Sequence, residues 1–268
     1  MEDCWSIVEQ VLPSADRILL YGPSGTGKSY AGKRLGIAPS KEQIAAEAKL
    51  IWAERGCPDG QDREFWIAAE RRLCEKINFN ERVFSFSLTE DTPAAELRGH
   101  FGLKSGEYVW MDGPCVSSWR KGARLVLNEL EKASGDAQTF LLGILDDPGI
   151  ASITLPTGET VRPDSGFRCV ATMNGDPDVD LNPALRDRFP IAINIDRIAP
   201  DALLALPEDI RNVVYNCSVV KDAQRRISVR SWNEFARLRE EHNPTLAAKA
   251  VFGSRYSEVL AALNISKS

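Results

Sequence analysis

Eight consecutive residues, Gly22-Pro23-Ser24-Gly25-Thr26-Gly27-Lys28-Ser29, constrain this chain more than any other stretch. They follow an apolar run, Ile18-Leu19-Leu20-Tyr21, and open a segment patterned as a helix. A strand that feeds a glycine-rich turn, then a helix, points backbone N–H groups and the positive helix end at one spot. Such a loop cradles the phosphates of a nucleoside triphosphate. Gly22, Gly25 and Gly27 permit close backbone approach, Lys28 meets the outer phosphates, and the Ser29 hydroxyl suits Mg²⁺. Pro23, Ser24, Thr26 and the adjacent Tyr30 complete the set of candidate nucleotide contacts.

The whole chain narrows the partners. Its 268 residues suffice for a large domain or a core with a small appendage. With 43% hydrophobic and 26% charged residues, it has an ordinary globular composition. A net charge of −5 gives no general reason to expect nucleic acid or an anionic membrane as partner. The cysteines at 4, 57, 74, 115, 169 and 217 are scattered without a C-x-x-C pair, and there are two histidines, so a Cys/His zinc site is disfavoured. The expectation is a cytoplasmic protein with reduced thiols, no signal peptide and no membrane segment.

Along the chain, residues 4–12 have helical spacing and lead into a strand at about 17–22, followed by a helix at about 27–36. Residues 39–80 look inserted. Ile44, Ala48, Ile51 and Trp52 share one helical face, and Phe65, Trp66, Ala69, Leu73 and Ile77 share another. Arg55-Gly56-Cys57-Pro58-Asp59-Gly60 is a stop-and-turn signal between them. Acidic and basic residues nearly cancel here, which disfavours a nucleic-acid arm. The segment resembles a bacterial helical-hairpin family of unknown function, through Trp52, Arg55, Gly56, Pro58, Gly60, Trp66, Ala69 and Glu70.

Strands are expected at 82–88, 107–111, 123–127, 167–173 and 191–195, a loop and short helix over Thr89 to Gly99, a helix at 136–146, and a hairpin at 150–163 turning at Pro156-Thr157-Gly158. Alternating strands and helices predict a parallel α/β sheet. Beyond about 200 the pattern is helical. The division is therefore an α/β core over 1–198 and a smaller helical subdomain over 199–268.

A triphosphate-hydrolysing site needs an acid, a water-orienting group and a cation besides the cradle. Arg124-Leu125-Val126-Leu127-Asn128-Glu129 is an apolar strand ending in polar residues, with Glu129 placed to polarise water. Asn128 stands where an Mg²⁺-supporting aspartate is expected. Its amide oxygen can accept from metal-bound water but carries no full charge. Asn174 closes the strand Arg168-Cys169-Val170-Ala171-Thr172-Met173-Asn174. Arg186 and Arg188 follow in Leu181-Asn182-Pro183-Ala184-Leu185-Arg186-Asp187-Arg188-Phe189.

With G-P-S-G-T-G-K-S, L-V-L-N-E-L, A-T-M-N and L-x-x-A-L-R-D-R-F in this order, the chain resembles an AAA+ ATPase of the MoxR and dynein-related group. Ile227-Ser228-Val229-Arg230-Ser231 resembles the arginine-bearing start of that group's lid helix. The resemblance covers most of the chain outside about 37–82. It implies a P-loop NTPase fold with a five-stranded parallel sheet and a C-terminal helical lid. It also implies ATP and Mg²⁺ as cofactors, with Ser29 and Asn128 on the metal side. Glu129 becomes the catalytic glutamate and Asn174 the first sensor. Arg188 becomes the arginine finger, with Arg186 as alternative, and Arg230 the second sensor.

A finger that acts on a neighbour's nucleotide implies a self-assembled ring, usually a hexamer. The group implies remodelling or activation of a client protein, which can carry a von Willebrand-type domain. Two other readings stay open: a DNA-associated motor, and a nucleotide switch that hydrolyses weakly because of Asn128.

Overall fold

The computed structural model describes residues 3–39, 41–56, 62–218 and 227–263. Cys57, Pro58 and Gly60 of the expected turn lie outside the described residues.

The chain opens with α1 (Cys4–Val11), β1 (Arg17–Tyr21), the glycine-rich loop and α2 (Lys28–Arg34). Next come α3 (Lys41–Glu54), α4 (Asp62–Ile77), α5 (Phe79–Arg82) and β2 (Val83–Ser87). Then follow α6 (Ala94–Arg98), β3 (Gly99–Lys104), β4 (Glu107–Asp112), α7 (Pro114–Lys121) and β5 (Arg124–Asn128). A 3-10 turn, Leu130–Lys132, precedes α8 (Gly135–Ile144), β6 (Ile153–Thr154), β7 (Thr160–Val161) and β8 (Arg168–Thr172). After α9 (Pro177–Asp180), α10 (Pro183–Asp187) and β9 (Ile191–Asn194), the described elements are helical. They include α11 (Pro200–Leu204), α12 (Glu208–Ser218), α13 (Val229–Glu241), α14 (Pro244–Phe252) and α15 (Tyr256–Ala262).

The main sheet has five strands in the order β2-β5-β8-β1-β9, and every neighbouring pair is parallel. This is the expected α/β class. Parallel strands in such a sheet are covered on both faces and read as continuous apolar runs. All five residues of β5 are buried, as are Ile18, Leu19 and Leu20 in β1. Period-two alternation divides them between faces. Leu19, Leu125, Leu127, Cys169 and Ala171 join Trp119 and Leu141 in one core. Ile18, Leu20, Val126 and Val170 join Trp5, Val8 and Leu12 in the other.

The inserted segment is a helix pair with its own small core of Ile44, Ile51, Phe65 and Ala69. Trp52 and Trp66, which helical spacing set on those two faces, are 39% and 36% exposed. They stand at the rim of a groove beside that core, where a large ring is only half covered. Arg34, at the end of α2, pairs with Glu70 of α4, which ties the insertion to the loop's own helix.

Several elements went unread in the sequence, β3 and α7 among them. β3 pairs antiparallel with β4 from Gly99↔Asp112 to Lys104↔Glu107. α7 starts with Pro114 and stops at Gly122, which adopts a left-handed conformation. Both signals belong to a helix that begins with proline and ends at glycine.

The C-terminal helices α12 to α15 bury a separate cluster centred on Trp232, Phe235 and Phe252. Their ring centroids lie 5.1–6.3 Å apart in edge or tilted contact. The junction with the core is short. The Ala199 N–H donates to the Thr26 carbonyl at 3.0 Å, and Trp5 Nε1 donates to the Arg197 carbonyl at 2.9 Å.

Candidate nucleotide site

In the β2-β5-β8-β1-β9 sheet, β1 lies between β8 and β9, although neither is its neighbour in sequence. Ligands of open parallel sheets bind beyond the carboxyl ends of strands at such a point. The glycine-rich loop leaves the end of β1 there. Gly22 has φ +122°, and a Cβ on it would come within 2.6 Å of the Ile195 carbonyl oxygen. Gly25 has φ +77°, and a Cβ would lie 3.0 Å from Ser228 Cβ, at the start of the C-terminal α13 region. Side chains at these positions would separate the loop from its neighbours.

Lys28 is buried. Its ammonium donates to the carbonyls of Gly22 at 2.8 Å and Pro23 at 2.7 Å, and to Asn174 Oδ1 at 3.4 Å. A cation held this way at a glycine-rich loop is a ready counterpart for phosphate.

A cleft of about 350 Å³ opens over the loop. Ser24 to Tyr30, Glu129, Thr172, Asn174, Arg230 and Asn233 line it. Chain segments separated by as much as two hundred residues therefore meet in one space. Tyr30 stands at its edge, 64% exposed, with the Arg34 guanidinium 5.5 Å from its ring centroid.

The Ser29 hydroxyl faces Thr172 Oγ1 at 3.5 Å, and Thr172 in turn donates to Asn128 Oδ1 at 3.3 Å. Asn128 does not line the cleft. It is buried one step behind Thr172, and its Nδ2 donates to Ser85 Oγ at 3.1 Å and to the Phe86 carbonyl at 3.2 Å. Ser29, Thr172 and Asn128 together offer neutral oxygens. That set fits Mg²⁺, a hard ion that keeps several waters and takes much of its shell from phosphates. No cluster of three His, Cys, Asp or Glu side chains suited to a metal occurs among the described residues.

Glu129 sits just past β5 with φ +58° and ψ +49°. A non-glycine residue in this left-handed region costs of order 1–3 kcal/mol and is characteristic of functional turns. Its carboxylate pairs with Lys132, whose ammonium is held above its ordinary pKa chiefly by that hydrogen bond.

Asn174 is held by a residue the sequence did not single out. Its backbone N–H and its Nδ2 both donate to Glu131 Oε1, at 3.1 and 3.2 Å. Forty-three positions separate the two residues, and no motif joins them; only the 3-10 turn after Glu129 brings Glu131 back. Thr172 and Asn233 are likewise cleft residues that sequence reasoning passed over.

Arg230 lines the cleft from α13 and is exposed. Arg186 and Arg188 do not line it. Arg186 pairs with Asp178 at 3.2 Å and donates to the Phe189 carbonyl at 2.8 Å. Arg188 lies 3.6 Å from Asp146 and donates weakly to the Leu142 carbonyl at 3.5 Å.

A strand–loop–helix phosphate cradle at the switch point of a five-stranded parallel sheet defines a P-loop nucleotide-binding protein. Residues 68–189 match the family described as AAA domain (dynein-related subfamily). Glu129, Asn174, Arg186 and Arg188 fall inside the matched stretch; the loop and Arg230 fall outside it. Residues 39–73 match a family described as protein of unknown function (DUF2934), which corresponds to the inserted helices.

Over 117 residues the chain is 36% identical to protein NorQ of Paracoccus denitrificans (strain Pd 1222), covering 42% of this chain and 43% of that protein. It is 30% identical over 131 residues to the uncharacterized protein SAB1265c of Staphylococcus aureus (strain bovine RF122 / ET3-1), covering 48% and 46%. The matches thus span less than half the length of these curated relatives. A crystal structure of a candidate ATPase from Cytophaga hutchinsonii aligns with 86% of this chain and 56% of its own at 16% identity, with a TM-score of 0.42. No described helix is long and apolar enough to cross a membrane.

Proposed function

We propose that this chain is the ATPase subunit of a self-assembled ring that couples ATP binding and hydrolysis to remodelling or activating a partner protein, as in the MoxR group. One observation carries the reading. The phosphate loop, Glu129, Asn174 and Arg230 line a single cleft, although they come from distant parts of the sequence.

In this reading the loop N–H groups and Lys28 bind the phosphates. Ser29, with Thr172 and Asn128 behind it, holds Mg²⁺, which neutralises charge on the phosphate oxygens. Glu129 leaves Lys132 to take the proton side of the attacking water, and Asn174 orients that water. Arg230 follows the γ-phosphate from the C-terminal helices, so its loss on hydrolysis moves those helices against the core. Arg188, or Arg186, serves the cleft of the next subunit. Their absence from the lining of their own cleft is consistent with that role. A head-to-tail contact of this kind closes into a ring when its rotation allows.

The neutral Asn128 favours a second reading, a nucleotide switch that hydrolyses slowly, because an amide attracts the metal less than a carboxylate does. Phosphate release by the wild-type chain, compared with Lys28→Ala and Glu129→Gln variants, separates the two. Rapid Mg²⁺-dependent release supports the engine, and tight binding with little release supports the switch.

A further inference from the structure

We propose that Glu131 is a positioning residue that locks the side-chain amide of Asn174 with its oxygen toward the phosphate side of the cleft. The inference rests on reading the cleft as an ATP-hydrolysing site, and it assigns Asn174 one chemical face.

A carboxylate only accepts hydrogen bonds, whereas an amide side chain has a donating end and an accepting end. Asn174 gives Glu131 Oε1 two donors, its backbone N–H at 3.1 Å and its Nδ2 at 3.2 Å. Its Oδ1 then faces the other way, 3.4 Å from the ammonium of Lys28, which can only donate. Both neighbours select the same orientation. A flipped amide would set oxygen against carboxylate and NH₂ against ammonium. Glu131 Oε2 is buried and has no hydrogen-bond partner among the described residues, so no second donor draws the carboxylate from Asn174.

The consequence is specific. Asn174 offers an acceptor to whatever lies beside Lys28. An acceptor takes the O–H of a water and repels an anionic phosphate oxygen. Asn174 therefore aligns the attacking water and does not clasp the γ-phosphate. Glu131 touches no reacting atom and acts through Asn174.

Steady-state ATP hydrolysis by the full chain tests this with two variants. Glu131→Ala removes the acceptor and frees the amide to flip, so kcat falls about tenfold while KM for ATP stays within about twofold. Glu131→Gln keeps an acceptor that can itself rotate, so kcat falls less, about threefold. Unchanged kcat in Glu131→Ala, or a loss confined to KM, overturns the proposal.

The second measurement needs no turnover. In protein labelled with isotopic asparagine, the Asn174 side-chain NH₂ signal, identified by its absence in Asn174→Ala, moves upfield in Glu131→Ala. A signal that stays in place overturns the proposal. If the wild-type chain releases no phosphate, the ATPase reading fails alone, and this signal still decides the role of Glu131.

Discussion

The side-chain nitrogen of Asn128 donates to the backbone carbonyl of Phe86 at 3.2 Å, across the β2–β5 strand pair. A carbonyl cannot donate, so this contact fixes which end of the amide faces β2 and which faces Thr172. The residue that looked like a weakened metal support is also a structural amide. Asn128→Asp places a carboxylate against that carbonyl in a buried site. The variant should lose about 1–3 kcal/mol of stability, read from urea unfolding. The surviving folded protein should need less Mg²⁺ for half-maximal turnover, because the added charge attracts the ion. A variant as stable as the wild type, with unchanged Mg²⁺ dependence, would contradict both statements.

Arg188 does not line its own cleft, and its guanidinium lies 3.6 Å from Asp146 and 3.7 Å from Asp187. If it serves a neighbouring subunit, Arg188→Ala binds nucleotide normally and hydrolyses it poorly. Mixing that variant with Glu129→Gln should restore part of the activity, because some interfaces then combine an intact Glu129 with an intact Arg188. Mixtures that stay inactive, or an Arg188→Ala variant with full turnover, would count against a shared site.

Burial pushes the Cys169 thiol up to about 12, and burial first, then the neighbouring Cys169, pushes Cys115 well above its ordinary range. Thiolate is the reactive form. At pH 8 a thiol reagent should therefore leave both residues unmodified in the native protein and modify both once denaturant unfolds it. Peptide mapping by mass spectrometry reads the outcome. Native-state labelling of either would mean that the sheet core opens readily.

Among the C-terminal helices, Arg239 of α13 grips Asp209 of α12, and that hydrogen bond holds the Asp209 carboxyl below its ordinary pKa. A depressed carboxyl pKa stabilises the fold above the unfolded value, and the contribution disappears as pH falls through the folded value. Asp209 is largely exposed, so the effect is small. Asp209→Asn should cost no more than about 1 kcal/mol at pH 7. Its difference from wild type should shrink below about pH 4. A gap that widens in acid would reverse the sign of the argument.

The sheet was legible because its strands are apolar runs and its turns carry glycine. Ile18 to Leu20 and Leu125 to Leu127 show this plainly. β3 was not, because Gly-His-Phe-Gly-Leu-Lys has two glycines and its outer face stays exposed, with Leu103 69% accessible. The loop, Glu129, Asn174 and Arg230 were legible as types at strand and helix ends, and the structure gathers them in one cleft. Glu131 and Thr172 were not. Their importance lies in which atom faces which, and Glu131 reaches Asn174 only once β5 and β8 lie side by side. Trp52 and Trp66 show the converse limit. Helical spacing placed them on a face, but spacing does not say how far a neighbouring helix covers a large ring.

The most direct test is phosphate release from ATP by the purified full chain, with and without Mg²⁺, beside Lys28→Ala and Glu129→Gln. The account predicts Mg²⁺-dependent release in the wild type. It predicts loss of nucleotide binding in Lys28→Ala. In Glu129→Gln it predicts retained binding with turnover reduced at least about a hundredfold. Equal release by wild type and Glu129→Gln, or undiminished nucleotide binding by Lys28→Ala, would contradict it.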